Sequence, residues 1–488
     1  MEQTTAPAVA EPATGAPAPN SLRPNALGTG GIVFMVISAA APLTVMAGVA
    51  PIAILIGGIG APVVYVVAGL ILGVFAVAFM AMTKHVKALG GFYTYITQSL
   101  GKAVGLGSSL VALVAYNAME IGLYGLLGAQ GHDMLLTQFG IDVPWWVIAA
   151  IGVFAIFFVA YRGVDVGAKV LGVLLGLETV ILLAFAVVVL VQGGAEGITF
   201  GSFTPEALFN PGLFAILGAG FAAFLGFEST ALYREEARDP NRTIPRATYI
   251  SVAFLAGFYG FIMWAIVISL GETNAVAAAA ENPAGLVFAQ AGHYLGAWAE
   301  FAMYLLILTS VYASQLAFHN AINRYTFSLA RDGVLPAALR RTHPKSGSPY
   351  VSGIVQTVLA VVVVAFFAIG GLDPYMQLLL WVNSAGVLGI LLLQVLTCVA
   401  VAVFFLKNPG IARKWYVVPA AVVSGLAQVG VLYILCTSLD MLTAGGPVVN
   451  FFVLAITPVT FTVGFVLAVV WKRTRPQVYA AIGGASEF

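Results

Sequence analysis

Three glutamates stand inside apolar runs of the chain: Glu120, Glu178 and Glu228. A fourth, Glu300, lies nearer the end of its run, and no Lys or Arg occupies a comparable depth to pair with any of them. A charge surrounded by hydrocarbon is costly. Each acid must therefore be protonated, hydrogen-bonded, or turned toward a cation or water, and all three conditions suit proton or cation handling. For Glu178 two readings stand: a carboxyl that titrates as part of the function, or one held protonated against a neighbour.

Neutral polar residues accompany these acids at helical spacing. Tyr116, Asn117, Glu120 and Tyr124 share one face. Tyr312, Gln315, His319 and Asn323 share another, with Thr309 and Ser310 one turn before. In lipid such faces must look inward, either onto a pathway or into helix–helix hydrogen bonds. His319 could relay protons, and Trp381, Asn383 and Ser384 are further lining candidates.

The elements that must hold these residues are set by composition. Of 488 residues, 60% are hydrophobic and 8% charged, and mean hydropathy is +0.99. A soluble protein carries roughly a quarter charged residues. Apolar runs of about 20 residues recur along the whole chain, as transmembrane helices require. The runs are too long and continuous for a barrel. Twelve segments are expected, near 31–57, 61–83, 103–130, 144–161, 166–193, 211–232, 248–270, 295–325, 351–371, 376–406, 415–438 and 449–471. With the N-terminus inside, all 21 Lys and Arg fall in inner loops, while the outer loops carry acids such as Asp133, Glu196, Glu272 and Asp440. This distribution obeys the positive-inside rule and places both termini in the cytoplasm.

Two segments are interrupted. Segment 1 contains SAAAPLTVMAG (38–48), with Pro42 at its centre. Segment 6 reads NPGLFAILGAGFAAFLGFESTALY (210–233), with Gly218, Gly220 and Gly226 ahead of Glu228. Proline removes a donor and breaks a helix, and paired breaks in matching segments of two halves point to a transporter site at mid-membrane. Freed amides attract anions and freed carbonyls attract cations. A simple kink at Pro42 is the alternative.

Three loop motifs complete the pattern: KALGGFYTYITQSLG (87–101), GFESTALYREEARDPNRTIPRA (226–247) and NRYTFSLARDGVLPAAL (323–339). Together they resemble the amino acid–polyamine–organocation permease family. The resemblance implies an all-α polytopic fold of twelve transmembrane helices, a LeuT-like five-plus-five inverted repeat with broken helices 1 and 6, and two extra C-terminal helices. It implies a cytoplasmic tail over 1–28, a first repeat over 29–200, a second over 201–408, helices 11 and 12 over 409–472, and a tail over 473–488. It also implies alternating access around segments 1, 3, 6, 8 and 10.

Carried onto this chain, the resemblance puts substrate at Ser38, Ala40, Ala41, Pro42, Leu43 and Thr44 of the first break. Family members usually have glycines there; this chain has none, so the Thr44 hydroxyl and amide stand in. The second break is Phe221, Ala222, Ala223, Phe224, Leu225 and Gly226, with Phe224 expected as the gate and Phe221 second. Tyr116, Asn117 and Glu120 complete the substrate set. The coupling set is Glu178, Glu228, Thr309, Ser310 and His319. Proton-coupled relatives often carry a lysine near the position of Glu178, so a carboxyl there reverses the charge.

The expected function is secondary active transport of an amino acid or related amine across the plasma (inner) membrane, by proton-coupled uptake, with protons preferred to sodium. An exchanger, a polyamine or organocation carrier, and a sensor or channel-like protein on the same scaffold are the alternatives. No P-loop, metal-ligand spacing or catalytic constellation appears in the sequence, so an enzyme, a cofactor, a metal and a nucleic-acid partner are not expected. Cys398 and Cys436 both lie in apolar segments and read as buried thiols. The first apolar run starts too late and is too long for a cleaved signal peptide. Asp239-Pro240 and Ile244-Pro245 should keep segments 6 and 7 from forming one helix. The charged residues around them, from Arg234, Glu235, Glu236 and Asp239 to Arg246, could form changing salt bridges or simply set topology.

Overall fold

The computed structural model describes residues 27–483 except 84, 87–90, 163–166, 229, 231–236, 345–346 and 412–414, and gives backbone alone for 39 and 167–172. Lys84, Lys87, Arg234, Glu235 and Glu236, with the start of the first loop motif, lie outside the described residues. The chain is helical, and eleven helices among the described residues are long and apolar enough to cross a membrane. It is therefore an integral multi-pass membrane protein.

Segment 1 is three helices: Thr29–Ala40, Pro42–Gly48 and Ala50–Gly57. Segment 2 follows as Ala61–Thr83, then a short amphipathic helix Phe92–Leu100. Segments 3, 4 and 5 are Lys102–Phe139, Trp145–Arg162 and Gly167–Gln192. Segment 6 is the exception to membrane length, with helices Pro211–Ala215 and Leu217–Ala222 followed by turns. Segments 7 to 9 are Pro240–Leu270, Ala297–Arg331 and Tyr350–Ile369. Segment 10 opens as a π-helix, Pro374–Leu379, and continues as Leu380–Lys407. Segments 11 and 12 are Val417–Thr437 and Gly446–Thr474, and a last short helix spans Pro476–Ala481.

Segment 3 is central, with 83% of its apolar window buried against 28% for segment 4 and 22% for segment 12. It packs on segments 8, 10 and 12. Small residues allow the closest approach. A Cβ on Gly122 would collide with the Asn383 carboxamide, and one on Gly386 would stand 3.0 Å from the Ala115 carbonyl oxygen. Without a hydrophobic force between helices in lipid, this close packing is what joins them. The outer faces of segments 4, 9, 11 and 12 present exposed Phe154, Val362, Leu426 and Phe452, as lipid contact requires.

One sequence expectation is corrected here. Asp239, at φ 45°, caps segment 7 and Pro240 opens it, so that stop is real. Ile244-Pro245 is not a second stop: Pro245 lies inside the helix, which begins at Pro240 and not near 248. Pro245 stands within two turns of the helix start, so it removes one backbone bond while the long apolar stretch beyond keeps its ladder.

Candidate functional site

The site begins with the backbone groups that the first break releases. Ala41 takes a left-handed conformation, φ 45° and ψ 77°, and ends the first helix of segment 1. Its amide donates to the carbonyls of Ile37 (3.0 Å) and Ser38 (3.2 Å). Pro42 then starts the second helix without an amide hydrogen. The Leu43 amide donates to the Glu178 carboxylate, and the Thr44 amide donates to Ser310 Oγ at 3.3 Å. Val45 already bonds within the helix, to Ala41. Every donor freed by the break is thus taken by a side chain or by the helix itself.

The freed carbonyls are served by tyrosines. Tyr259 Oη donates to Ala40 O at 3.1 Å, and Tyr375 Oη donates to Gly48 O at 2.7 Å. Both phenols are buried. The sequence reading missed these two residues; a phenol deep in an apolar segment, which needs a partner, was the signal that could have found them.

Glu178 is the centre of a hydrogen-bonded chain across three segments. Thr44 Oγ1 donates to Ser310 Oγ (3.0 Å), and Ser310 Oγ donates to Glu178 Oε2 (2.7 Å). Thr44, Glu178 and Ser310 are 3%, 2% and 1% exposed, so water does not compete for these bonds. The arrangement ties the first break to segments 5 and 8.

The second break carries the matching acid. Segment 6 is capped by Asn210, whose side chain accepts from the Gly212 amide at 2.9 Å. Its helix ends at Ala222, and Gly226 turns the chain at φ 106°, a conformation that needs glycine. The Gly226 amide donates to Glu228 Oε2 (3.0 Å), while Tyr116 Oη donates to Glu228 Oε1 (2.8 Å). Glu228 thus fastens the second break to segment 3.

Between the two breaks lies a cavity of about 100 Å³. Segment 1 gives it Ala40, Thr44, Val45 and Val49, and segment 6 gives it Gly218, Ala219, Ala222, Ala223 and Leu225. Met119 and Leu123 of segment 3, Ser314 and Phe318 of segment 8, and Asn383 and Ser384 of segment 10 close it. Its walls are mostly apolar, its polar groups are hydroxyls and one carboxamide, and no charged residue lines it among the described residues. Asn383, oriented to donate, reaches the carbonyls of Ala118 and Met119 at 3.2 Å each.

The residues named from sequence separate into three groups. Ala40, Thr44, Ala222 and Ala223 line the cavity, as do Asn383 and Ser384. Ser38, Ala41, Pro42, Leu43 and Gly226 shape the breaks without lining it. The remaining polar residues turn aside. Asn117 bonds back to Leu113 O (2.7 Å) and Thr309 to Leu306 O (2.8 Å), each within its own helix. Glu120 Oε1 receives Tyr124 Oη and meets His319 Nδ1, both at 3.1 Å, forming a separate buried pair between segments 3 and 8. Phe224, expected as a gate, is fully buried with its ring edge-on to Tyr259 at 6.0 Å, and neither it nor Phe221 touches the cavity. The aromatic ring in the cavity wall is Phe318.

The family model described as amino acid permease matches residues 27–468. The chain is 25% identical over 411 residues to a branched-chain amino acid permease of Bacillus subtilis (strain 168), covering 78% of this chain and 80% of that one. It is 27% identical over 276 residues to an uncharacterized transporter of Mycobacterium tuberculosis (strain ATCC 25618 / H37Rv), covering 56% and 57%. It is 25% identical over 324 residues to a vacuolar protein of Arabidopsis thaliana named cationic amino acid transporter 2, covering 62% and 49%.

Proposed function

From the premise that this chain belongs to the amino acid permease family, we propose that it is a proton-coupled secondary transporter of an amino acid with a small aliphatic side chain. The observation that carries this reading is the apolar cavity at which both interrupted segments meet. Met119, Leu123, Phe318 and Leu435 offer a side chain only dispersion and burial, which favour hydrocarbon. The polar groups in the cavity wall, for the polar end of the substrate to meet, are those of Thr44, Ser314, Asn383 and Ser384. The printed name of the Bacillus relative points the same way. A cationic side chain would find no lining carboxylate among the described residues. The fold we propose is the five-plus-five inverted repeat, with segment 6 as the broken partner of segment 1 and twelve spans in all. Both termini are then cytoplasmic, the membrane is the plasma membrane, and access alternates around the cavity.

Coupling, in this reading, works through Glu178. In its ionised form the carboxylate accepts from the Leu43 amide and Ser310 Oγ, and so fixes the first break. A proton on Glu178 weakens both contacts and so loosens, through Ser310, the hold on Thr44, which lines the cavity. Glu228 holds the second break through Gly226 and Tyr116, and it relays that change to segment 3.

Reconstituted liposomes test both parts. Labelled leucine, isoleucine and valine should enter when an inward proton gradient is imposed, and excess arginine should compete poorly. Gradient-independent uptake would overturn the coupling, and strong competition by arginine would overturn the substrate class. Glu178→Gln should flatten the pH dependence of uptake; an unchanged pH profile would return Glu178 to a structural role.

A further inference from the structure

A second, larger cavity of about 770 Å³ lies far from the first, where segment 4 ends and the connection from segment 8 to segment 9 crosses it. Tyr161, Arg340, Arg341, Thr342, His343 and Tyr350 dominate its lining. Among the described residues no carboxylate lines it, and none is an acidic partner of Arg340 or Arg341. Two arginines adjacent in sequence, both in the lining, leave a positive potential in the concavity.

The cavity is built, not a chance gap between mobile loops. Ser352 Oγ donates to Leu339 O (2.8 Å), anchoring the 3₁₀ turn Ala337–Arg340 to segment 9. The His343 amide donates to Ser348 O (2.8 Å) and the Gly347 amide to His343 O (2.9 Å), which holds His343 beside Gly347 and Ser348. Ser348 Oγ then donates to Tyr161 O (3.2 Å), pinning the loop to the end of segment 4. The Tyr161 ring stands edge-on to both His343 (4.9 Å) and Tyr350 (6.2 Å), so the walls are aromatic and fixed.

The surroundings add a direction. Phe154 and Phe158 of segment 4 and Ile354 and Val355 of segment 9 are exposed apolar side chains on the same two helices. Arg162, at the end of segment 4, stacks over Phe158 at 4.2 Å. The mouth thus sits where the apolar belt meets the polar end of the bundle.

We propose that this cavity is a binding site for a phosphate group, held by Arg340 and Arg341 between tyrosine walls. Arginine's planar fork matches phosphate oxygens in a bidentate way. The phosphate belongs to a phospholipid headgroup, whose chains would run along Phe158 and Ile354, or to a soluble phosphate; the chemistry at the arginines is the same. This site does not depend on the transported substrate or on Glu178.

The test is a thermal-shift titration of the purified full chain in neutral detergent with three probes: phosphatidylglycerol, phosphatidylcholine and inorganic pyrophosphate. Phosphatidylglycerol should raise the melting temperature of the native protein, and R340Q/R341Q should weaken its apparent affinity roughly tenfold or more. K472Q/R473Q, two exposed cations outside the cavity, should leave it unchanged. A shift by phosphatidylglycerol alone identifies the lipid source, and a shift by pyrophosphate that competes with it identifies the soluble one. No shift with any probe, an equal shift with phosphatidylcholine, or an equal loss in both double variants would overturn the proposal. Should R340Q/R341Q fail to fold, R341Q alone and pyrophosphate competition on the native protein decide the same question.

Discussion

At the scale of single residues, the first break stands on an alanine in a conformation that suits glycine. Ala41 sits at φ 45°, where a Cβ crowds the carbonyl and costs roughly 1 kcal/mol or more. Ala41→Gly should therefore raise stability by about 0.5–1 kcal/mol after glycine's extra freedom in the unfolded chain is deducted. Thermal unfolding in detergent checks this, and a lower melting temperature would refute it. A second residue-level prediction concerns pH. Glu196, in the loop after segment 5, accepts from the Thr273 hydroxyl and from its amide (3.3 Å), which holds its carboxyl below the usual range. Its folded-state pKa is depressed, so its contribution is present above the ordinary glutamate value of about 4.3 and is lost as pH falls through the folded one. Thr273→Val should lower the melting temperature at neutral pH, leave it unchanged below the folded pKa, and so make the acid-side decline shallower. The same side chains show how legible single residues were. Glu178 and Ser310 were identifiable from depth and polarity alone, and they do meet. Phe224 was chosen because aromatic rings stand near such breaks, yet phenylalanine is abundant here, and only packing against Tyr259 decides where this ring points.

At the scale of elements, helix rotation matters more than helix existence. Segments 3 and 8 carry polar stripes at the expected spacing, but the faces toward the cavity are Met119 with Leu123 and Ser314 with Phe318. The stripes are turned onto each other, where Glu120 meets His319. Periodicity tells which residues share a face, while lipid, cavity and neighbouring helix can all accept an apolar one. The rotation is set by close packing with segment 10. Gly122→Ala should consequently cost about 1–3 kcal/mol, because its Cβ meets the Asn383 carboxamide. A native-like melting temperature for that variant would mean the 3–10 contact yields without cost. Segment 7 shows the converse limit: a proline two turns into a helix reads as a stop in sequence, though a long apolar run beyond it keeps the helix whole.

At the scale of the whole molecule, the C-terminal helix Pro476–Ala481 closes one end of the bundle. The Gly483 amide donates to Tyr93 Oη (2.6 Å), and Tyr93 Oη donates to Asp332 Oδ2 (3.2 Å). Lys102 lies 5.5 Å above the Tyr479 ring and donates to the Ala480 carbonyl. This clasp joins the helix after segment 2, the start of segment 3 and the end of segment 8. Truncation after Arg475 should lower stability by about 1–3 kcal/mol and speed amide exchange over 92–100, since it strips the partners of buried polar groups. Unchanged exchange there would show that the clasp is superficial.

The sequence by itself determined that this is a multi-pass helical membrane protein, that segments 1 and 6 are interrupted, and that it resembles an amino acid permease. Those conclusions follow from composition, helix-breaking residues and loop motifs, which act locally and need no partner to be read. Only the tertiary structure decided who satisfies the freed backbone: Glu178 and Ser310 take the amides of the first break, Tyr259 takes its Ala40 carbonyl, and Tyr375 takes the Gly48 carbonyl at the end of the next helix. Such pairings join residues more than a hundred positions apart. They depend on how each helix is rotated, and one-dimensional periodicity leaves that rotation free.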